Sequence, residues 1–278
     1  MSQLEKIIES KQKDVKEKKE LYPLKLLEKS IFFDSPAVPL SAYIRRSDLS
    51  GIIAEFKRKS PSRGVINEFA SPQKVCLEFM RSGASALSVL TDTKFFGGGN
   101  RDLEIARKFN FCPILRKDFI IDEYQVYESR SIGADAILLI ARALTAAQLK
   151  KFHSLARSLS MEVLFEVYDE SCIEKLPAEA AIIGVNNRDL KNSRVDHMHC
   201  VELSEKLPGS VLKIAESGID SPEKYMVMKK AGFDGFLIGD YFMRTANPGR
   251  TCEKFIKKIK EIEKQHTKPG KRKQTGKY

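Results

Sequence analysis

Tryptophan is missing from this 278-residue chain, histidine occurs only four times, and the five cysteines (Cys76, Cys112, Cys172, Cys200 and Cys252) form no C-x-x-C pair. An odd set without paired spacing argues against a disulfide framework or a zinc knuckle, and a reducing compartment suits it. No run approaches the ~20 apolar residues of a membrane span. The opening stretch MSQLEKIIESKQKDVKEKKE is too charged to be a secretory signal. The expectation is a soluble cytoplasmic protein with no membrane partner. Nor does the sequence hold the G-x-G-x-x-G fingerprint of dinucleotide binding after its first apolar run, where the loop reads KSPSRG. FFGGG at 95–99 is not followed by Gly-Lys-Ser/Thr, so it reads as a mobile loop and not a nucleotide cradle. Acid is absent from the last 15 residues, which hold six of the basic ones; the formal charge of +11 thereby falls to +5 elsewhere. Such a polar basic run is expected to be a disordered, solubilising tail, and no nucleic acid partner is expected.

What is present is a rhythm. Eight short apolar runs rich in β-branched residues begin at 51, 86, 113, 136, 162, 182, 211 and 235, spacings that leave room for a strand, a loop and a crossover helix each time. Ser71, Ser221 and Asn247 each precede a proline as helix N-caps, and Asp122, Thr145 and Asp169 read as N-caps too. SGA, IGA and AGF at 82–84, 132–134 and 231–233 stop helices before the next strand. Near-continuous apolar strands alternating with helices mean a covered parallel sheet. Eight such units close most economically into a (β/α)8 TIM barrel, an α/β fold, ahead of a doubly wound open sheet. The expected organisation is an N-terminal helical extension packed on the barrel over 1–50, the catalytic barrel over 51–262, and the tail over 263–278. In the extension, Leu4, Ile7, Ile8, Val15 and Leu21 fall partly on one helical stripe that Pro23 ends. It would lie over one mouth of the barrel as a lid or form an oligomer contact, and docking on the barrel keeps the stripe out of water.

Alternation along each strand then sorts the polar residues. Ile53, Glu55 and Lys57 share one face, and Ala54 and Phe56 the other. With Phe56 against the helices, the charged pair points into the barrel at the C-terminal end of its strand, where barrel enzymes build their sites. The same habit places Leu115, Lys117 and Phe119 together, Leu164 with Glu166 and Tyr168, Gly184 with Asn186 and Arg188, and Ile214 with Glu216. One such charge is ordinarily a solvated or salt-bridged strand end. Five strands ending this way gather ionisable groups into a single mouth, and that convergence points to catalysis. Gly218 and Gly239, after the last two strands, sit where the fold usually binds phosphate. His197 and His199, two apart, face away from each other on a helix and make no metal site. His153 reads as a surface residue of a helix.

The stretches IIAEFKRKSPSRG, VLTDTKFFGGG, LRKDFIIDEYQVYESRSIGADAILLI, LFEVYDE, GVNNRDL, IAESGI and FLIGDYFMR, in this order over residues 51–256, resemble the indole-3-glycerol phosphate synthase family. The resemblance implies a carbon–carbon lyase of tryptophan biosynthesis. It would close the ring of 1-(2-carboxyphenylamino)-1-deoxyribulose 5-phosphate, with loss of carbon dioxide and water. It implies no metal and no organic cofactor, a small phosphorylated substrate as partner, and a monomer or weak homodimer. By the same likeness, Lys117 is the general acid on the ketone oxygen, and Glu166 and Glu55 remove protons and assist dehydration. Lys57 serves proton transfer or holds an anionic group, and Asn186 and Arg188 hold the anthranilate moiety. Ser60, Phe119, Glu216 and Ser217 contact substrate, and Gly218, Gly239 and Asp240 bind phosphate. Asp240 stands where the family can have serine; an acid there repels phosphate unless its side chain turns away, for instance to cap the following helix. Burial and nearby Lys57 would lower the Lys117 pKa while glutamates would raise it, a balance left open. Two rivals remain: a phosphoribosylanthranilate isomerase, which needs a strand-end cysteine not found here, and an RNA-binding protein that uses the tail.

Overall fold

The computed structural model describes residues 2–189, 195–196 and 198–267. The first helix, α1 (Gln3–Leu21), starts at a capping box in which Ser2 accepts from the Glu5 N–H and Glu5 returns a bond to the Ser2 backbone. Its inward stripe is Ile7, Lys11 and Val15, all buried, while Leu21 is 69% exposed. The apolar stripe expected from sequence therefore ends sooner, and a lysine lies within it.

All eight expected strands are present: β1 (Ile52–Phe56), β2 (Ala86–Leu90), β3 (Ile114–Lys117), β4 (Ala136–Ile140), β5 (Glu162–Val167), β6 (Ile182–Asn186), β7 (Leu212–Glu216) and β8 (Gly235–Ile238). Each pairs in parallel with the next, and β8 closes on β1 through Ile52↔Phe236, Ile53↔Leu237 and Ala54↔Ile238. Alternation divides the apolar residues into two cores. Ile53, Leu115, Leu138, Leu164, Ile214 and Leu237 fill the barrel interior. Ala54, Phe56, Val89, Leu139, Phe165 and Ala215 face outward to the helices.

The N-terminal mouth is closed by the short helix Leu40–Ile44, whose Leu40 and Ile44 join the interior core. Its Ser41 donates from both N–H and Oγ to Glu162, at the start of β5. The C-terminal mouth lies beneath α1. Lys11 reaches Asp92 at 2.8 Å and Asp118 at 2.9 Å, Lys18 reaches Glu128 at 2.7 Å, and all three carboxylates are buried. The expected N-caps Ser71, Asp122, Thr145, Asp169 and Ser221 all accept from their helices, as does Asn247 from the Arg250 N–H. The last helix, Pro248–Thr267, covers the outside, and the remainder of the expected tail lies beyond the described residues.

Two local readings need correction. FFGGG is not a loop: Thr93–Phe96 forms a short helix capped at its start by Asp92, Gly97 ends it at φ 67°, and Gly99 caps the next helix, Asn100–Phe109. His153 is buried, 8% exposed, its ring edge-on to Phe165 at 5.4 Å, and desolvation lowers its pKa. Helix periodicity put it toward the barrel, not toward water. Between the two short helices, a β-carbon on Gly98 would stand 1.9 Å from the backbone oxygen of Leu90. Gly98→Ala should therefore cost about 1–3 kcal/mol by overpacking, read as a lower urea midpoint; an unchanged midpoint would show that the turn can move.

Candidate active site

The C-terminal ends of the strands surround a cavity of about 290 Å³. Every site residue expected from sequence lines it: Lys117, Glu166, Glu55, Lys57 and Asn186; Ser60, Phe119, Arg188, Glu216 and Ser217; and Gly218, Gly239 and Asp240. Inward pleat positions place the first group. Register then brings distant residues side by side, with Glu166 opposite Gly184 and Asn186 opposite Glu216.

Lys117 Nζ stands 3.0 Å from Glu166 Oε2 and 3.0 Å from Glu216 Oε2. Burial works to lower its pKa, but Glu166, Glu216 and Glu55 outweigh it and hold the ammonium above its ordinary value. The glutamates thus win the contest left open above. The cost appears on Glu216: burial, with Glu166 and Glu55 nearby, overcomes the attraction of Lys117 and pushes its pKa up to about 7. Its second oxygen, Oε1, is buried without a hydrogen-bond partner. Room for that oxygen exists because residue 184 is glycine, since a β-carbon there would lie 2.1 Å from Glu216 Oε1. Gly239 has the same office beside Glu55, where a β-carbon would meet Oε1 at 2.5 Å.

A second cluster lies nearer the rim. Lys57 Nζ reaches Glu55 at 2.8 Å and Asp240 at 2.6 Å; burial lowers its pKa, but these acids raise it above the ordinary value. Arg188 is held by its own N–H on Asn186 Oδ1 at 2.9 Å, and its guanidinium reaches Ser62 at 3.3 Å and Asp240 at 3.4 Å. After β7, Ser217 and Gly218 both take left-handed backbone angles, φ 68° and 76°, which bend the chain along the cavity wall. Asp240 does not cap the following helix, Asp240–Met243: Gly239 stands at the cap with no side-chain bond, and the carboxylate turns to the cations instead. Tyr168 also departs from the expected convergence. Its ring is sandwiched between Arg142, 4.3 Å away, and His199, at 4.5 Å, outside the cavity. Among the described residues no His, Cys, Asp and Glu group is placed to hold a metal ion.

Several residues of the wall were not foreseen. Gln3 and Ile7 of α1, Arg63 and Phe96 all line the cavity, and Phe96 packs 6.0 Å from Phe119. Lys11 anchors α1 on the acids beside β2 and β3. Its signal was present as the i, i+4, i+8 series Ile7, Lys11, Val15, which places a lysine on a buried stripe.

Fold and mouth together define a (β/α)8-barrel enzyme with an acid–base centre at the C-terminal ends of its strands. The family model for indole-3-glycerol phosphate synthase matches residues 4–257. The chain belongs to the indole-3-glycerol phosphate synthase family, carboxy-lyases of tryptophan biosynthesis that form indole-3-glycerol phosphate. The relative named so in Bacteroides thetaiotaomicron is 42% identical over 92% of this chain and 98% of its own length. That of Campylobacter jejuni subsp. doylei is 40% identical over 91% and 99%, and that of Acetivibrio thermocellus 44% over 78% and 85%. A solved structure described as "Native KDPGal structure" shares the fold, with a TM-score of 0.52 at 12% identity over 77% of this chain and 94% of its own.

The raised pKa of Glu216 makes stability depend on pH. The folded state holds this proton more tightly than the unfolded chain does, so the contribution is full below the ordinary carboxyl pKa of 4.5 and is lost as pH rises through about 7. Glu216→Gln cannot lose a proton. Its unfolding free energy relative to wild type should rise between pH 5 and pH 8 in urea titrations; a constant difference would mean that Glu216 titrates normally.

Proposed function

We propose that this chain converts 1-(2-carboxyphenylamino)-1-deoxyribulose 5-phosphate to indole-3-glycerol phosphate with Lys117 as the general acid. The observation that carries the assignment is Lys117 between Glu166 and Glu216 at 3.0 Å each. A lysine held above its ordinary pKa is protonated at neutral pH. It gives its proton up to an oxygen that is becoming an alkoxide, a stronger base than any amine. As the ring carbon bearing the carboxylate attacks the ketone carbon, the ketone oxygen takes the Lys117 proton. The electrons of the bond to the carboxylate then restore the aromatic ring, and carbon dioxide leaves. Glu55 or Glu166 removes the proton from the adjacent carbon, the hydroxyl departs as water with a proton delivered through Lys57 or Lys117, and the indole is complete. Overall one proton is taken up. Glu216, with a pKa near 7, returns a proton to its partner Lys117.

The remaining residues bind. Arg188 and Asn186 meet the anthranilate carboxylate, Phe119 and Phe96 flank the ring, Ser60 and Ser217 contact the substrate, and the turns at Gly218 and Gly239 receive the phosphate. The domain reading carries over: barrel 51–262 as catalytic unit, 1–50 as an extension packed on it, and a basic tail after it. A cytoplasmic location is supported by five buried free cysteines and by the lack of a membrane-length apolar helix among the described residues. The assembly proposed is a monomer or weak homodimer.

The direct test is the carboxyphenylamino substrate with purified protein, followed by indole fluorescence. Lys117→Ala should lower kcat by about 10²–10⁴-fold while circular dichroism stays that of wild type. Turnover near the wild-type rate in that variant would remove Lys117 from the acid role.

A further inference from the structure

Asp240 sits among three cations of the mouth. Its carboxylate is 2.6 Å from Lys57 Nζ, 3.3 Å from Arg63 Nε and 3.4 Å from Arg188 Nη2. These groups come from the segment after β1, the segment after β6 and the start of the helix after β8, so one acid bridges three parts of the mouth. Its contacts are unequal: both arginine contacts are long, and Oδ1, although 2.6 Å from Lys57, has no hydrogen-bond partner. The acid also stands next to Gly239 on the wall assigned to the phosphate.

We propose that Asp240 is a resident competitor for the substrate's phosphate: beside the Gly239 turn it occupies the Lys57 and Arg63 charges and thereby weakens phosphate binding at the mouth. The inference rests on the phosphate site of the proposed function. The chemistry gives such a competitor a use. Substrate and product carry the same phosphate, so tight phosphate binding stabilises both and hastens neither chemistry nor product release. An internal carboxylate keeps the cations paired and soluble in the site, and is exchanged for phosphate without leaving any of them bare.

Inorganic phosphate is the probe, measured by calorimetry at low ionic strength so that binding is read without turnover. Asp240→Asn and Asp240→Ser should each bind phosphate about tenfold more tightly, an advantage that shrinks with added salt. Asp240→Glu, which keeps the charge, should stay near wild type. With substrate, both neutral variants should show a lower KM and an equal or lower kcat. If both neutral variants, folded by circular dichroism, bind phosphate as wild type does or more weakly, the competitor role is overturned. If anthranilate binding tightens and phosphate binding does not, Asp240 opposes the carboxylate and the proposal fails as stated. A wild-type protein that makes no indole product overturns the proposed function instead, and the phosphate measurement still decides the role of Asp240.

Discussion

A lysine buried between two glutamates inside a barrel is the interaction on which this structure turns. Taking an ion out of water costs several kcal/mol, and only close opposite charge offsets it. Lys117 obtains that from Glu166 and Glu216, both nearly inaccessible to solvent. Two carboxylates on one ammonium is more negative charge than the site can hold comfortably, and Glu55 adds to it. The excess is relieved by proton retention on Glu216, whose pKa rises to about 7. The same electrostatics that keeps the lysine charged therefore raises the proton affinity of a neighbouring glutamate, so proton donors and acceptors lie within one hydrogen-bonded group.

Holding Lys117 requires the end of β3 to be fixed from outside. Alternation sends Arg116 away from the cavity while Lys117 points in. Arg116, wholly buried, binds Glu128 at 2.6 Å, Asp118 at 3.1 Å and Thr91 at 2.9 Å. Asp118 also receives Thr91 Oγ1 at 2.6 Å and Lys11 at 2.9 Å. Lys11, held charged by Asp118 and Asp92 despite its burial, belongs to α1. The extension is thus joined to the strand that carries Lys117 through charges with no access to water for replacement. This accounts for a lysine on a stripe where an apolar residue would pack as well.

How much of this was legible follows from the kind of signal involved. The eight strands and the inward set of Glu55, Lys117, Glu166, Asn186 and Glu216 came from period-two alternation, which a parallel barrel obeys closely because both faces of the sheet are buried. Lys11 and His153 were missed or misplaced because polar identity was taken as exposure, although each sits on the buried face of its helix. Tyr168 followed the alternation of β5 past the strand's end at Val167, where the pleat no longer governs direction. FFGGG was misread because glycines that break one helix and start the next have the same composition as a loop. Gly184 and Gly239 carried a further meaning that only coordinates reveal, the space occupied by two carboxylates. Long-range pairs such as Lys11 with Asp118 depend on how elements dock, and local pattern holds no record of that.

The charges are also graded with depth. Toward the floor lie Lys117 with Glu55, Glu166 and Glu216, whose side chains are 13% exposed or less; Lys57, at 12%, bridges them to a rim of Arg63, Arg188 and Asp240, where exposure runs from 21% to 51%. The floor is therefore net acidic and the rim net basic. On the proposed reading, a substrate with anionic groups is held by the rim and presents its neutral ketone to the floor. The carboxylate, borne by the carbon that attacks the ketone, is carried toward the acidic floor as that bond forms, and it leaves as uncharged carbon dioxide. Reversing the gradient, with acids at the rim, would repel the substrate before it reached Lys117, and a basic floor would hold the carboxylate that has to depart.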